Sequence, residues 1–240
     1  MPEYLELTAS ADVAAEATTR TLERLRTAIA QRGRATWVLA GGSSPAAAYR
    51  LIAADHADAV DWSRVTVLMG DERLVPLDHA DSNWGQLLPL LTADPRVAAL
   101  DEIAPATGLA LDDAAADYAR RIVEHAPDGD VRFDMVWLGV GEDGHTLSLF
   151  PGQETVWNAP ELVTSVRDSP KPPPERITLT LAALDHAGAV IVFATGAAKR
   201  EALSRARSQG DLPIAVASAR ADAAGAEVVW LYDADAIGPR

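Results

Sequence analysis

Asp134-Met135-Val136-Trp137-Leu138-Gly139-Val140-Gly141-Glu142-Asp143-Gly144-His145-Thr146-Leu147-Ser148-Leu149-Phe150-Pro151-Gly152 is the stretch whose reading decides the fold. Met135 to Leu138 is a short, continuous run of β-formers with the length of a buried parallel strand. Three glycines follow at once, which lets the backbone turn sharply and pass close to a ligand. Glu142, Asp143 and His145 then lie at the carboxyl end of that strand, where open α/β sheets bind their ligands. A Gly-x-Gly turn with one histidine is by itself an ordinary surface turn. Asp-Gly-His beside the glycines, with an apolar Leu-Phe-Pro after it, weighs toward a site. It is not a dinucleotide fingerprint, because Gly144 comes too early for G-x-G-x-x-G and no long amphipathic helix starts directly after it.

Working outward, the same strand–loop–helix grammar recurs. Trp37 to Ala40 reads as a strand running into Gly41-Gly42-Ser43-Ser44-Pro45, with a helix over Ala46 to Ile52. Ser44 is the expected N-cap and Pro45 the first helical residue. Two glycines, two hydroxyls and a helix N-terminus make an anion cradle, since free amides and the helix dipole face the loop. Val65 to Met69 is a strand ending in Gly70-Asp71-Glu72-Arg73, a charged cluster at a strand end. Ala189 to Phe193 is another, ending at Thr195-Gly196, with Lys199 in the first turns of a helix to Ser208. A lysine there opposes the helix dipole, a mismatch that an anion would relieve.

The remaining elements complete a mostly parallel sheet flanked by helices. Tyr4 to Leu7 is an edge strand, and Ala11 to Arg32 a long helix stopped by Gly33. Leu87 to Leu91 is a packed helix or turn. Leu111 to His125 is a helix with acids in its first turn and Arg120-Arg121 toward its end. Leu162 to Val166 is a strand, Ser169 to Arg176 an extended segment stiffened by prolines, and Ile177 to Thr180 a strand. Leu212 to Ala217 and Val228 to Tyr232 are read as the last pieces of the sheet. No composition shift or repeat divides the chain, so residues 1–240 are expected to form one α/β domain.

Composition narrows the function. A hydrophobic content of 48% over 240 residues supports a full core, and the absence of cysteine removes disulfides and thiolate metal sites. The formal charge of −14 leaves no basic surplus for a nucleic-acid partner. With no signal pattern and no apolar run of spanning length, a cytoplasmic location without membrane contact is expected. No His or carboxylate spacing suggests a metal, and no cofactor is expected. Nothing in the sequence fixes an oligomeric state. Of the 21 basic residues, Lys171 and Lys199 are the two lysines and the rest are arginine. A chain so short of lysine keeps it where a compact ammonium does what a planar guanidinium does not.

The run from Gly139 to Pro151 resembles the G-V-G-x-D-G-H-x-x-S-L-F-P signature of the 6-phosphogluconolactonases, which share a fold with the glucosamine-6-phosphate isomerases. The resemblance extends to Gly41–Pro45 (Ser44 replaces the family's threonine), to Asp71-Glu72-Arg73 with Ser82-Asn83, and to the Lys-Pro-Pro segment followed by Arg176-Ile177-Thr178-Leu179-Thr180. It implies hydrolysis of 6-phospho-D-glucono-1,5-lactone, a small sugar-phosphate lactone, with His145 as general base. Arg73 would then reach the substrate and Asp71 line or order the site, while Glu72 serves the structure. Gly41, Gly42, Ser43, Ser44, Asp143, Gly144, Lys171, Arg176 and Lys199 would bind the substrate. Oxyanion stabilisation would fall to backbone amides of the glycine loops or to a basic side chain. The isomerases carry Ile-Ala-Phe-Asn-Glu-Pro after their histidine; here Thr146 to Pro151 has no acid before the proline. A non-catalytic sugar-phosphate sensor would need the anion loop but not His145.

Overall fold

Residues 1–238 are described by a computed structural model. In chain order, β1 (Glu3–Leu7), α1 (Ser10–Arg32) and β2 (Ala35–Leu39) lead to α2 (Ser43–Asp55), β3 (Val65–Met69) and β4 (Asp71–Arg73). Next come α3 (Asn83–Leu91), β5 (Asp101–Ile103), α4 (Leu111–His125), β6 (Met135–Gly139) and the short α5 (Glu154–Trp157). β7 (Val163–Val166), β8 (Arg176–Leu179), β9 (Ala189–Ala194), α6 (Arg200–Ser208), α7 (Pro213–Ala223), β10 (Glu227–Asp233) and α8 (Ala234–Ile237) complete the order. Seven strands form a parallel sheet, β1-β10-β9-β6-β2-β3-β5, and β4-β8-β7 form a small antiparallel sheet beside it.

Strand alternation sorts the side chains into two cores. Trp37, Val67, Trp137, Ile191 and Val229 pack on one face with α1, α2 and α3. Val38, Leu68, Val136, Val190 and Trp230 pack on the other with α4, α6, α7 and the small sheet. A sheet covered on both faces needs an apolar residue at nearly every position, which is why its strands read as unbroken apolar runs. At the amino edge, the buried Asp134 carboxylate accepts a hydrogen bond from Thr36 N at 3.0 Å and pairs with Arg32 and Arg132. It thereby ties the end of α1 to the start of β2 and β6. No helix among the described residues is long and apolar enough to cross a membrane.

Several local expectations are corrected. Leu212 to Ala217 is not a strand: Pro213 opens α7, whose Ile214 and Ala217 face the core and whose Ser218 hydroxyl accepts from the Trp230 indole at 2.8 Å. Short apolar runs of this kind fit either a buried strand or a buried helix. α2 begins at Ser43 with Gly42 in the capping position, so Ser44 is not its N-cap and Pro45 not its first residue. Asp71 to Arg73 is a strand paired antiparallel with β8, and both belong to the small sheet rather than the main one. β5, three residues long, carries too little pattern to stand out in the sequence.

The topology places the site. From β2 the chain moves outward through β3 to β5, and from β6 it moves the other way through β9 to β10. β2 and β6 are matched only at Trp37–Met135 and Val38–Val136, so their carboxyl ends diverge. This is the switch point at which an open parallel sheet leaves a crevice.

Candidate functional site

The loops that leave β2, β3, β6 and β9 converge on that crevice and line a cavity of about 210 Å³. Lys171 and Arg176, from the proline-rich segment before β8, close one side.

The loop after β6 presents the histidine. Gly141 N donates to His145 O at 2.8 Å and Gly144 N to Gly141 O at 2.9 Å, which folds the loop on itself. A Cβ at Gly141 would collide with both the His145 imidazole and the Asp143 carboxylate, so glycine is required there. Asp143 Oδ1 accepts from His145 N at 3.3 Å and lies 2.5 Å from His145 Nδ1. Partial burial pushes the Asp143 carboxyl up, but the hydrogen bonds and charge of His145, with Lys171 adding, outweigh it and hold the group well below the usual carboxylate range. An ionised carboxylate only accepts. Nδ1 therefore carries the proton, and Nε2 is the basic nitrogen of a ring that lines the cavity. Phe150 packs against the imidazole with centroids 4.6 Å apart.

Two residues later Leu147 adopts φ 54°, a left-handed conformation uncommon for a residue with a branched side chain. Its side chain lies over Gly70, where a Cβ would overlap Leu147 Cδ2. That close approach seats the histidine loop on the corner that carries Asp71.

Buried carboxylates organise the corner. Glu72 is fully buried and accepts from Arg73 N (2.7 Å), the Ser82 hydroxyl (3.0 Å), Asn83 N (2.8 Å) and Trp84 N (2.7 Å). It thus meets the free amides at the start of α3 and serves the structure. Asp71 accepts from the Ser148 hydroxyl at 2.6 Å and lies 3.9 Å from Arg176 Nη1. Arg176 is 3% exposed and donates to the carbonyls of Pro173 (3.0 Å), Lys171 (2.9 Å) and Pro172 (3.2 Å). Most of its donors are spent holding the proline-rich segment, and hence Lys171, in place. Arg73 donates from Nη1 to Asp81 O at 2.7 Å, while its buried Nε has no hydrogen-bond partner among the described residues.

The lysines complete the cation set. Lys171 Nζ is 3.8 Å from Asp143 Oδ1. Partial burial depresses the Lys199 pKa and the charge of Lys171 adds to this, against opposing pulls from Glu142 and Asp143. Its ammonium is under-compensated, and a bound anion would relieve it.

Of the residues singled out in the sequence, Gly41, Gly42, Asp71, Arg73, His145, Lys171, Arg176 and Lys199 line the cavity together. Asp143 stands behind the imidazole. Ser43 is exposed in the first turn of α2. Ser44 and Gly144 do not line the cavity. The Ser44 hydroxyl bonds that of Thr195, joining the loops after β2 and β9. Gly144 packs on Leu212 and its carbonyl accepts from Ile214 N at 3.2 Å, seating the loop on α7. Asn83, Trp137 and Leu147 also line the cavity and were not expected there. Asn83 had a signal in the Ser82-Asn83 pair; its amide donates to Asp71 O at 3.0 Å. Among the described residues no group of three or more His, Asp or Glu side chains could hold a metal ion.

The family profile described as glucosamine-6-phosphate isomerases/6-phosphogluconolactonase matches residues 8–230. The chain belongs to this family. It is 35% identical over 245 residues to the 6-phosphogluconolactonase of Mycobacterium tuberculosis, covering 98% of each chain. With that of Mycobacterium leprae it shares 36% over 226 residues and 90% of each. The solved 6-phosphogluconolactonase of Trypanosoma brucei superposes with a TM-score of 0.81 at 26% identity, over 98% of this chain and 97% of that one. The family membership agrees with the resemblance carried by the Gly139–Pro151 run.

The corner should be fragile at Glu72. Glu72→Ala leaves three donors at the start of α3 and the Arg73 amide on β4 without their acceptor, and loss on the order of 3 kcal/mol in urea unfolding is expected. The exposed Glu154→Ala should stay within about 0.5 kcal/mol.

Proposed function

We propose that this protein hydrolyses 6-phospho-D-glucono-1,5-lactone to 6-phospho-D-gluconate, the lactone-opening step of the oxidative pentose phosphate pathway. One observation carries the reading: a histidine backed by an ionised aspartate shares a small cavity with Lys171, Lys199 and Arg73. A base on one side and cations on the other suit a neutral electrophile joined to an anion.

In this reading a water molecule attacks the lactone C1 while His145 Nε2 takes its proton. Asp143 keeps the proton of Nδ1 in place and stabilises the imidazolium that forms. The C1 carbonyl becomes an oxyanion, for which the amides of the glycine loops or a cavity cation are the available partners. Collapse breaks the bond from C1 to the ring oxygen, and the imidazolium returns its proton to that oxygen. The product is an open-chain acid that ionises. The 6-phosphate is assigned to the amides at the start of α2 together with Lys171 and Lys199, and the Arg73 guanidinium, which lines the cavity, adds positive charge. Arg176 acts through Lys171, because most of its own donors are occupied.

Aldose–ketose isomerisation fits less well. Between His145 and Pro151 the chain has no acid: Ser148 is bonded to Asp71, and Phe150 is packed on the imidazole. Neither can serve as an acid or base for ring opening.

Two outcomes are expected in a lactonase assay corrected for spontaneous hydrolysis. Glucono-1,5-lactone without phosphate should fall short of the phosphorylated lactone in kcat/KM by roughly 10²–10⁴, from two or three charge-assisted hydrogen bonds at about 1.5–3 kcal/mol each. Equal turnover of the two would refute the phosphate assignment. His145→Ala should lower kcat by about 10²–10⁴ with the fold intact. A folded variant with near-normal kcat would remove His145 from the base role.

A further inference from the structure

Two buried tyrosines make the same contact at two strand ends, and neither lines the cavity. The Tyr49 hydroxyl, on α2, accepts from Ala40 N and donates to Ala40 O, both at 3.0 Å. The Tyr118 hydroxyl, on α4, accepts from Met69 N at 2.9 Å and donates to Met69 O at 3.0 Å. The two rings approach from opposite sides of the sheet, Tyr49 within one core and Tyr118 within the other.

Each contact marks the place where a ladder stops. β2 and β6 are last matched at Val38–Val136. Leu39 O is taken by Gly70 N on the β3 side, so alternation turns the N–H and C=O of Ala40 toward β6, past the last matched pair. β3 and β5 are last matched at Leu68–Ile103, and Met69, the register partner of Leu39, turns its N–H and C=O away from β2. Both residues would otherwise hold a buried donor and acceptor with no strand to meet them. One hydroxyl satisfies both, giving one bond and accepting one. Burial pushes both phenols up, only partly offset by the backbone bond, so each keeps its O–H as a donor.

The two residues held in this way are the roots of two cavity loops. Ala40 precedes Gly41 and Gly42, and Met69 precedes Gly70 and the Asp71–Arg73 corner. We infer that Tyr49 and Tyr118 are positioning residues of the active site, whose hydroxyls replace missing strand neighbours and fix the two loops that meet the substrate. With β6 parting from β2 and the β5 ladder ending at Leu68–Ile103, both loops would otherwise be loosely rooted.

The test uses Tyr49→Phe and Tyr118→Phe, which keep the rings and remove only the hydroxyls. Its kinetic arm rests on the lactonase reading. Tyr49→Phe should raise KM for the phosphorylated lactone about tenfold and leave kcat/KM for the unphosphorylated one within about twofold; Tyr118→Phe should lower kcat about tenfold on both. A tyrosine that served stability alone would lower the melting temperature and leave KM and kcat unchanged well below it.

The second arm, amide hydrogen exchange, needs no activity. In the unmodified protein Ala40 and Met69 should exchange at least about 100-fold more slowly than Gly42, and each variant should lose that protection at its own residue. Ala40 and Met69 amides as labile as Gly42 in the unmodified protein would overturn the inference, as would folded variants with unaltered KM and kcat. Absence of lactonase activity in the unmodified protein would overturn the lactonase reading alone, and exchange would then decide the clamps.

Discussion

The divergence of β2 from β6 is the constraint on which the rest of the structure depends. A parallel sheet wound outward in both directions from its middle must part there, and the parting exposes strand-end polar groups inside the protein. One such pair of groups, at Ala40, is met by Tyr49 from α2, and others face the cavity where a ligand can meet them. The same geometry brings the glycine loop after β2 beside the histidine loop after β6. Small contacts then set the distances: Leu147 over Gly70, Gly144 against Leu212, and the Ser44–Thr195 pair. Each joins loops that the chain itself does not connect.

Charge is placed against the grain of the whole molecule. A chain with formal charge −14 gathers Arg73, Lys171, Arg176 and Lys199 around one cavity. Acids nearby are mostly committed: Glu72 to the start of α3, Asp143 to His145, Asp71 to Ser148. Arg176 is committed too, to three carbonyls of the proline-rich segment. Lys171, Lys199 and Arg73 are what remains to meet an anion, which fits with lysine surviving at only two positions in the chain.

Much of this was legible in the sequence because a doubly covered sheet writes itself as apolar runs, each ending in a glycine or charge cluster. Met135 to Leu138, Val65 to Met69 and Ala189 to Phe193 are all strands, and their loops do converge. What failed was whatever depends on partners remote in sequence. Leu212 to Ala217 is helical because Pro213 opens it against the core, which its apolar composition alone does not reveal. The small sheet exists because Asp71–Arg73 finds Arg176–Thr178, about a hundred residues later. Leu147 in the left-handed region, Ser44 turned toward Thr195, and Arg176 spent on carbonyls are tertiary facts that no local pattern encodes.

A calorimetric titration tests the proposed phosphate assignment most directly. The product 6-phosphogluconate, and gluconate as its control, would be titrated in two buffers of different ionisation heat above about pH 8, where the phosphate is already dianionic. Burial depresses the Lys199 pKa, so a fraction of its ammonium is lost as the solution becomes alkaline, and a bound phosphate would restore it. Binding of 6-phosphogluconate should therefore take up protons, and Lys199→Arg, whose guanidinium stays charged, should abolish the uptake. Gluconate bound as tightly as 6-phosphogluconate, with no proton uptake for either, would contradict a phosphate at these cations.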